Sequence, residues 1–148
     1  MSKSNAFENA LLLLIFNNTD IANIGDAAGL QNSAAAGNLY MTLHTSDPGE
    51  AGTSITNEIA YTSYARVAVA RSGSGFTVTT NSVALAADAV FPAGTGGSGT
   101  ATHWGIVGGV STTPADNLLL YKGAISPNIV CGNGVTPRLT AGTVVTED

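Results

Sequence analysis

The 148-residue chain carries five basic and ten acidic residues, a net charge of −5, and only 10% of its residues are charged. The basic residues Lys3, Arg66, Arg71, Lys122 and Arg138 are scattered, so the chain lacks the basic footprint that direct nucleic-acid binding requires. A hydrophobic share of 44% excludes a disordered chain, and the length predicts a single domain over 1–148 with a real core.

With charge far below the roughly 25% of a typical soluble domain, the surface must be covered by Thr, Ser, Asn, Gly and Ala. Such a surface is weakly hydrated, and part of it is expected to lie against a partner. The single Cys131 cannot form an intrachain disulfide and reads as a small buried residue beside Ile129 and Val130. Leu11 to Phe16 is the longest apolar run, far short of the about 20 residues of a membrane-spanning helix. Glu8 and the polar Asn17-Asn18-Thr19-Asp20 also make it a poor signal peptide. No membrane association is expected, and folding in a cytoplasm is. Asn17-Asn18-Thr19 formally matches a glycosylation acceptor, which means nothing without secretion.

In chain order, the first predicted element is an amphipathic helix over about 5–17. Ser4 or Asn5 can cap it, and Asn5 with Glu8 has capping-box spacing. Phe7, Ala10, Leu11, Leu14 and Ile15 form one stripe. Leu12, Leu13 and Phe16 widen it, so the helix is either sandwiched within its own domain or packed against another subunit. Residues 18–38 read as an irregular connection with room for a short helical turn.

Period-two patterning begins at Leu39. Leu39, Met41 and Leu43 share one face, and Tyr40, Thr42 and His44 the other. Asp47-Pro48-Gly49 then forms a corner, with φ fixed by Pro48 and freed by Gly49. Further strands are predicted at Glu58–Tyr61, Ala65–Arg71, Phe76–Thr79, Ser82–Leu85, Ala89–Phe91, Thr100–Val107, Leu118–Ala124, Ile129–Cys131 and Thr143–Thr146. Short strands with turn signals between them predict a mainly β fold over 39–148, an antiparallel β-sandwich or jelly roll behind one N-terminal helix.

Several patterns imitate chemistry. Gly94-Thr95-Gly96-Gly97-Ser98-Gly99 matches G-x-G-x-x-G, but Pro92 precedes it and β-type residues follow, so a flexible inter-strand loop is expected. His44 lies near Asp47, yet no third ligand stands at metal-site spacing. Asp47, Glu50 and Glu58 are the densest acidic group and have no aromatic platform beside them. No nucleophile elbow, phosphate loop or zinc motif occurs. The expectation is no enzyme, no cofactor and no metal. Arg66 and Arg71, on otherwise apolar strands, each need a carboxylate or carbonyl partner. For both, Asp47, Glu50 or Glu58 can supply it, within the chain or across a subunit boundary.

The Ser4-Asn5-Ala6-Phe7-Glu8 start, the Leu43–Gly52 turn, the Tyr64–Ser72 block, Val135-Thr136-Pro137-Arg138-Leu139 and the terminal Thr146-Glu147-Asp148 together resemble a family of small virion proteins of tailed bacteriophages. Members are often labelled tail-fibre proteins. The resemblance implies a structural role in a virion assembled in the host bacterial cytoplasm. Its partners would be other virion proteins and copies of itself. The chain has no heptads and no shaft repeat. It therefore suits a capsid cement or decoration protein that bridges major capsid subunits, many weak contacts being multiplied by symmetry. The alternative is a tail fibre or a tail-associated host-recognition protein. Candidate interface residues are Phe7, Leu11, Leu14, Ile15, Asp47, Glu50, Arg66 and Arg71.

Overall fold

A computed structural model describes residues 2–142 and 144–147. They form the helix α1 (Asn5–Asn17) and strands β1 (Asn38–His44), β2 (Val67–Ala70), β3 (Phe76–Thr79), β4 (Ser82–Leu85), β5 (Ala89–Val90), β6 (Ser98–Val107), β7 (Leu119–Gly132), β8 (Arg138–Leu139) and β9 (Val144–Thr146). The fold is mainly β with one N-terminal helix. The predicted strand start at Thr143, and Asp148 of the terminal motif, lie outside the described residues.

The strands fall into three sheets, ordered β2-β1-β6-β7, β3-β4-β9 and β5-β8. The β1–β6, β6–β7, β3–β4, β4–β9 and β5–β8 ladders are antiparallel. Contacts divide the chain into two compact units. One holds Met1–Gly37, Ala70–Asp88 and Thr140–Asp148; the other holds Asn38–Val69 and Ala89–Leu139. No linker marks this division in the sequence because each unit is assembled from separated segments, and the chain passes directly from one to the other at each boundary.

In the first unit, α1 begins at Ser4, whose Oγ accepts from Phe7 N at 3.4 Å, and ends where Asn18 adopts φ 56°. With Ser4 as the cap, the Asn5–Glu8 spacing has no capping role. The buried line of the helix is Glu8, Leu12 and Phe16. Phe16 meets Phe76 of β3 edge-on, with ring centroids 4.9 Å apart. Each such buried aliphatic or aromatic side chain stabilises the fold by about 1.5–3 kcal/mol. Val83, Leu85 and Val145 complete this core.

The expected stripe is therefore rotated. Phe7 remains 38% exposed, and Leu11, Leu14 and Ile15 are half-buried. The helix is apolar around most of its circumference, so periodicity alone did not fix which line faces inward. Residues 18–38 are irregular, as expected, but well tied. Ile21 and Leu30 form a β-bridge. Asn18 bonds to Ser33 O and Ser33 N, both at 2.9 Å.

In the second unit, β1 is an inner strand, and every residue after Asn38 is buried. The Tyr40/Thr42/His44 face is thus as buried as the Leu39/Met41/Leu43 face. Trp104 of β6 stands opposite Gly123 of β7, where a Cβ would lie 2.5 Å from the indole Cζ2. The two strands predicted at Leu118–Ala124 and Ile129–Cys131 are one continuous β7, because Pro127 is tolerated on the edge of a sheet where no ladder bond is needed. Glu58–Tyr61 does not form a strand; Glu58 makes only a bridge to His44. Arg138–Leu139 does form one, too short for any periodicity to reveal.

Candidate functional site

The densest polar arrangement is built around Arg66, 2% exposed just before β2. Its guanidinium donates five hydrogen bonds. Nε reaches Glu58 Oε1 at 2.8 Å and Nη2 reaches Glu58 Oε2 at 2.8 Å, a bidentate ion pair. Nη1 reaches Asn117 Oδ1 at 2.8 Å, and Nη2 also bonds Ala115 O at 2.8 Å and Ser54 Oγ at 3.2 Å. Tyr64 Oη donates to Glu58 Oε1 at 2.8 Å and accepts from Leu43 N at 3.2 Å. Burial and the Glu58 carboxylate together hold the Tyr64 phenol strongly above its usual range. Among the partners left open by the sequence, Arg66 takes Glu58, within the chain. It is an interior group rather than a surface one. Ala115 and Asn117 carried no sequence signal, because they lie 49 and 51 residues from Arg66.

His44 is fully buried and does not pair with Asp47. Its Nδ1 donates to Thr56 O at 2.8 Å, which fixes the tautomer, so Nε2 accepts from Thr42 Oγ1 at 2.8 Å. Burial lowers its pKa, although the Thr56 carbonyl opposes this. The ring is a satisfied core group. His103, opposite it on β6, bonds Thr102 Oγ1 through Nδ1 at 2.9 Å.

The Asp47 corner takes a different cation from the one expected. Lys122 Nζ of β7 lies 3.0 Å from Asp47 Oδ1 and 3.2 Å from Glu50 Oε1. Asp47 Oδ1 also accepts from Gly49 N at 2.8 Å, and this bond, with Lys122, lowers the Asp47 pKa. The same carboxylates raise the pKa of Lys122. Glu50 is 96% exposed, so this fork is a weak, solvent-screened surface contact. Beside it lies a cavity of about 280 Å³ bounded by Gly49, Glu50, Gly52 and residues 119–122.

Arg71 caps α1. Its Nη2 donates to Leu14 O at 2.6 Å and its Nε to Ile15 O at 2.7 Å, and Nη1 bonds Ser33 Oγ at 3.0 Å. The helix has no basic residue in its own last turn. The cation that complements its C-terminal dipole comes from a distant strand end. Arg71 too is committed within the chain.

No catalytic constellation is assembled from these groups. Among the described residues, no cluster of three or more His, Cys, Asp or Glu could hold a metal ion. No described helix is long and apolar enough to cross a membrane. Cys131 is 1% exposed, and burial raises its thiol pKa. The Gly94–Gly99 motif runs into β6, which begins at its Ser98, rather than into a helix. Gly94 N donates to Val135 O at 2.9 Å and Thr62 N to Gly96 O at 2.9 Å.

The family model described as Podophage GP4 fiber I protein gp80 matches residues 2–147. No curated protein matches the chain. The description is of a fibre, so the capsid-cement role favoured from the lack of heptads and shaft repeats gives way to the fibre alternative. That lack misled because it describes this chain alone and not the assembly it enters. The chain belongs to the podophage fiber I protein gp80 family, and is a non-enzymatic structural component of a phage virion fibre.

Proposed function

We propose that this protein joins the fibre to other virion proteins through the outward face of α1. The observation that carries this reading is the split of the helix into two apolar faces. Leu12 and Phe16 enter the core, while Phe7 remains 38% exposed with Leu11, Leu14 and Ile15 only half-buried beside it. An apolar face in excess of what the core takes, on a chain with 10% charged residues, suits a protein partner. The test is to supply Phe7→Asp or Leu11→Asp protein to a phage lacking the native copy. Particles should then lack the protein, although each variant keeps the native far-UV CD. Incorporation at the native level would overturn the reading.

A host-receptor contact is the second reading. It is favoured by the cavity beside the Lys122–Asp47–Glu50 fork, where Tyr121 and both signs of charge line one recess. Purified protein should then adsorb to host cells and block infection, and failure to do either removes it.

A further inference from the structure

The turn at 54–57 is held between two parts of one unit. On one side it is bonded to β1 and its end. His44 Nδ1 donates to Thr56 O at 2.8 Å, Thr45 N to Asn57 O at 2.8 Å, and, just past the turn, Ile59 N to Leu43 O at 2.9 Å. On the other side it is bonded to the loop 108–118, between β6 and β7. Ser54 Oγ donates to Ala115 O at 2.8 Å and accepts from Asn117 N at 2.8 Å. The Arg66 guanidinium follows the same seam, joining Glu58 to Ala115 O and Asn117 Oδ1, and Arg66 N bonds Thr112 O at 2.8 Å. Thr53, Ile55 and Asn57 are exposed, so the turn lies at the surface.

Behind the turn, the His44 ring has no free counter-charge for a second proton. Its Nδ1–H is engaged by Thr56 O, and its Nε2 accepts from Thr42 Oγ1. Glu58, its bridge partner, is already held by Arg66 Nε and Nη2 and by Tyr64 Oη. From β6, His103 stands directly opposite His44, where like charges repel. From β7, Lys122 stands opposite Gly105, and its carboxylate partners Asp47 and Glu50 are paired to it. A Cβ on Gly105 would lie 2.5 Å from Thr42 Oγ1 and 3.0 Å from His44 Nε2, so the ring is closely packed from β6 as well. A charged imidazole in such a site is accommodated by opening it to water.

We infer that His44 is a proton-operated latch on the 54–57 turn: its protonation lifts the turn from β1 and, through Ser54 and Glu58, loosens the loop 108–118. The coupling runs through the hydrogen bonds named above, which form one continuous chain from the ring to the loop. In the open state the imidazole is in water, with its ordinary pKa of 6.5, whereas burial keeps the closed-state value lower. The opening constant is therefore smallest above pH 6.5. It rises by about tenfold for each pH unit below 6.5 and levels off once the closed-state value is passed. The opening is local: the β1–β6 ladder stays paired, and the contacts given up are those of the turn and of the loop it holds. That loop carries Val110, 97% exposed, so acid turns a fixed part of the surface into a mobile one.

The test is amide hydrogen exchange of the purified full chain between about pH 7.5 and about pH 5, corrected for intrinsic exchange rates. The Thr45, Arg66 and Asn117 amides, which bond Asn57 O, Thr112 O and Ser54 Oγ, should lose protection together. The loss should be about tenfold for each pH unit between 6.5 and the folded His44 value, while amides inside the β1–β6 ladder keep theirs. His44→Asn retains a donor for Thr56 O but does not titrate, so its protection should stay level across the range. In the native chain, the His44 ring resonance should titrate below 6.5 with the same midpoint as the amide shifts of residues 54–57 and 112–117, which reads the latch even where the variant is unstable. Protection at the three amides that is independent of pH, or that falls equally in His44→Asn, overturns the inference. So does a loss spread evenly over the β1–β6 ladder, or a His44 ring that titrates at or above 6.5.

Discussion

Arg66→Met is the most informative single substitution. It removes the cation from a Glu58 carboxylate whose side chain is 5% exposed, leaving the Tyr64 hydroxyl at 2.8 Å as its neighbour. It also strips donors from Ala115 O and Asn117 Oδ1. Leaving one partner of a buried pair uncompensated costs about 3–5 kcal/mol. For a chain of this size that lowers Tm by on the order of 10 °C. Urea unfolding followed by fluorescence of the single tryptophan, Trp104, reads the unit that holds the pair. Removing both charges, Glu58→Leu with Arg66→Met, should cost less than Arg66→Met alone, since no orphaned charge remains. If Arg66→Met costs under about 1 kcal/mol, or the double variant is no better than the single, the reasoning about this pair is wrong.

Other expectations follow from the remaining polar contacts and one close packing contact. Burial holds the folded-state pKa of His44 below its ordinary 6.5. Its contribution to stability is therefore complete above 6.5 and fades as pH falls from there through the folded value. The urea midpoint should drop between about pH 7.5 and about pH 5, and His44→Asn should flatten that drop. Arg71→Ala removes a charged donor from the Leu14 and Ile15 carbonyls and should cost about 1.5–3 kcal/mol, with loss of helical far-UV CD. Gly123→Val places atoms against the Trp104 indole and should cost about 1–3 kcal/mol with a shifted tryptophan emission.

Local patterns were legible in the sequence, and distant pairings were not. The helix over 5–17 and the strands at Phe76–Thr79 and Ser82–Leu85 match the structure, because caps, turns and period two are local signals. The rotation of α1 was not legible, since Leu12 and Phe16 compete with Leu11 and Ile15 for the core. Pro127-Asn128 reads as a break, yet β7 runs through it as an edge strand. The need of Arg66 for a carboxylate was legible from its apolar surroundings. The choice of Glu58 over Asp47 and Glu50 was not, since loop geometry decides which carboxylate arrives. Asp47 and Glu50 instead meet Lys122, whose partners no spacing in the sequence indicated.

The most direct test of the fibre assignment is the location and copy number of the protein in the particle. Antibody-gold imaging of the phage that encodes it, with quantitative mass spectrometry of purified particles, supplies both. The account predicts label confined to the fibres and a small number of copies per virion. Label spread over the capsid with hundreds of copies would contradict it and restore a cement role.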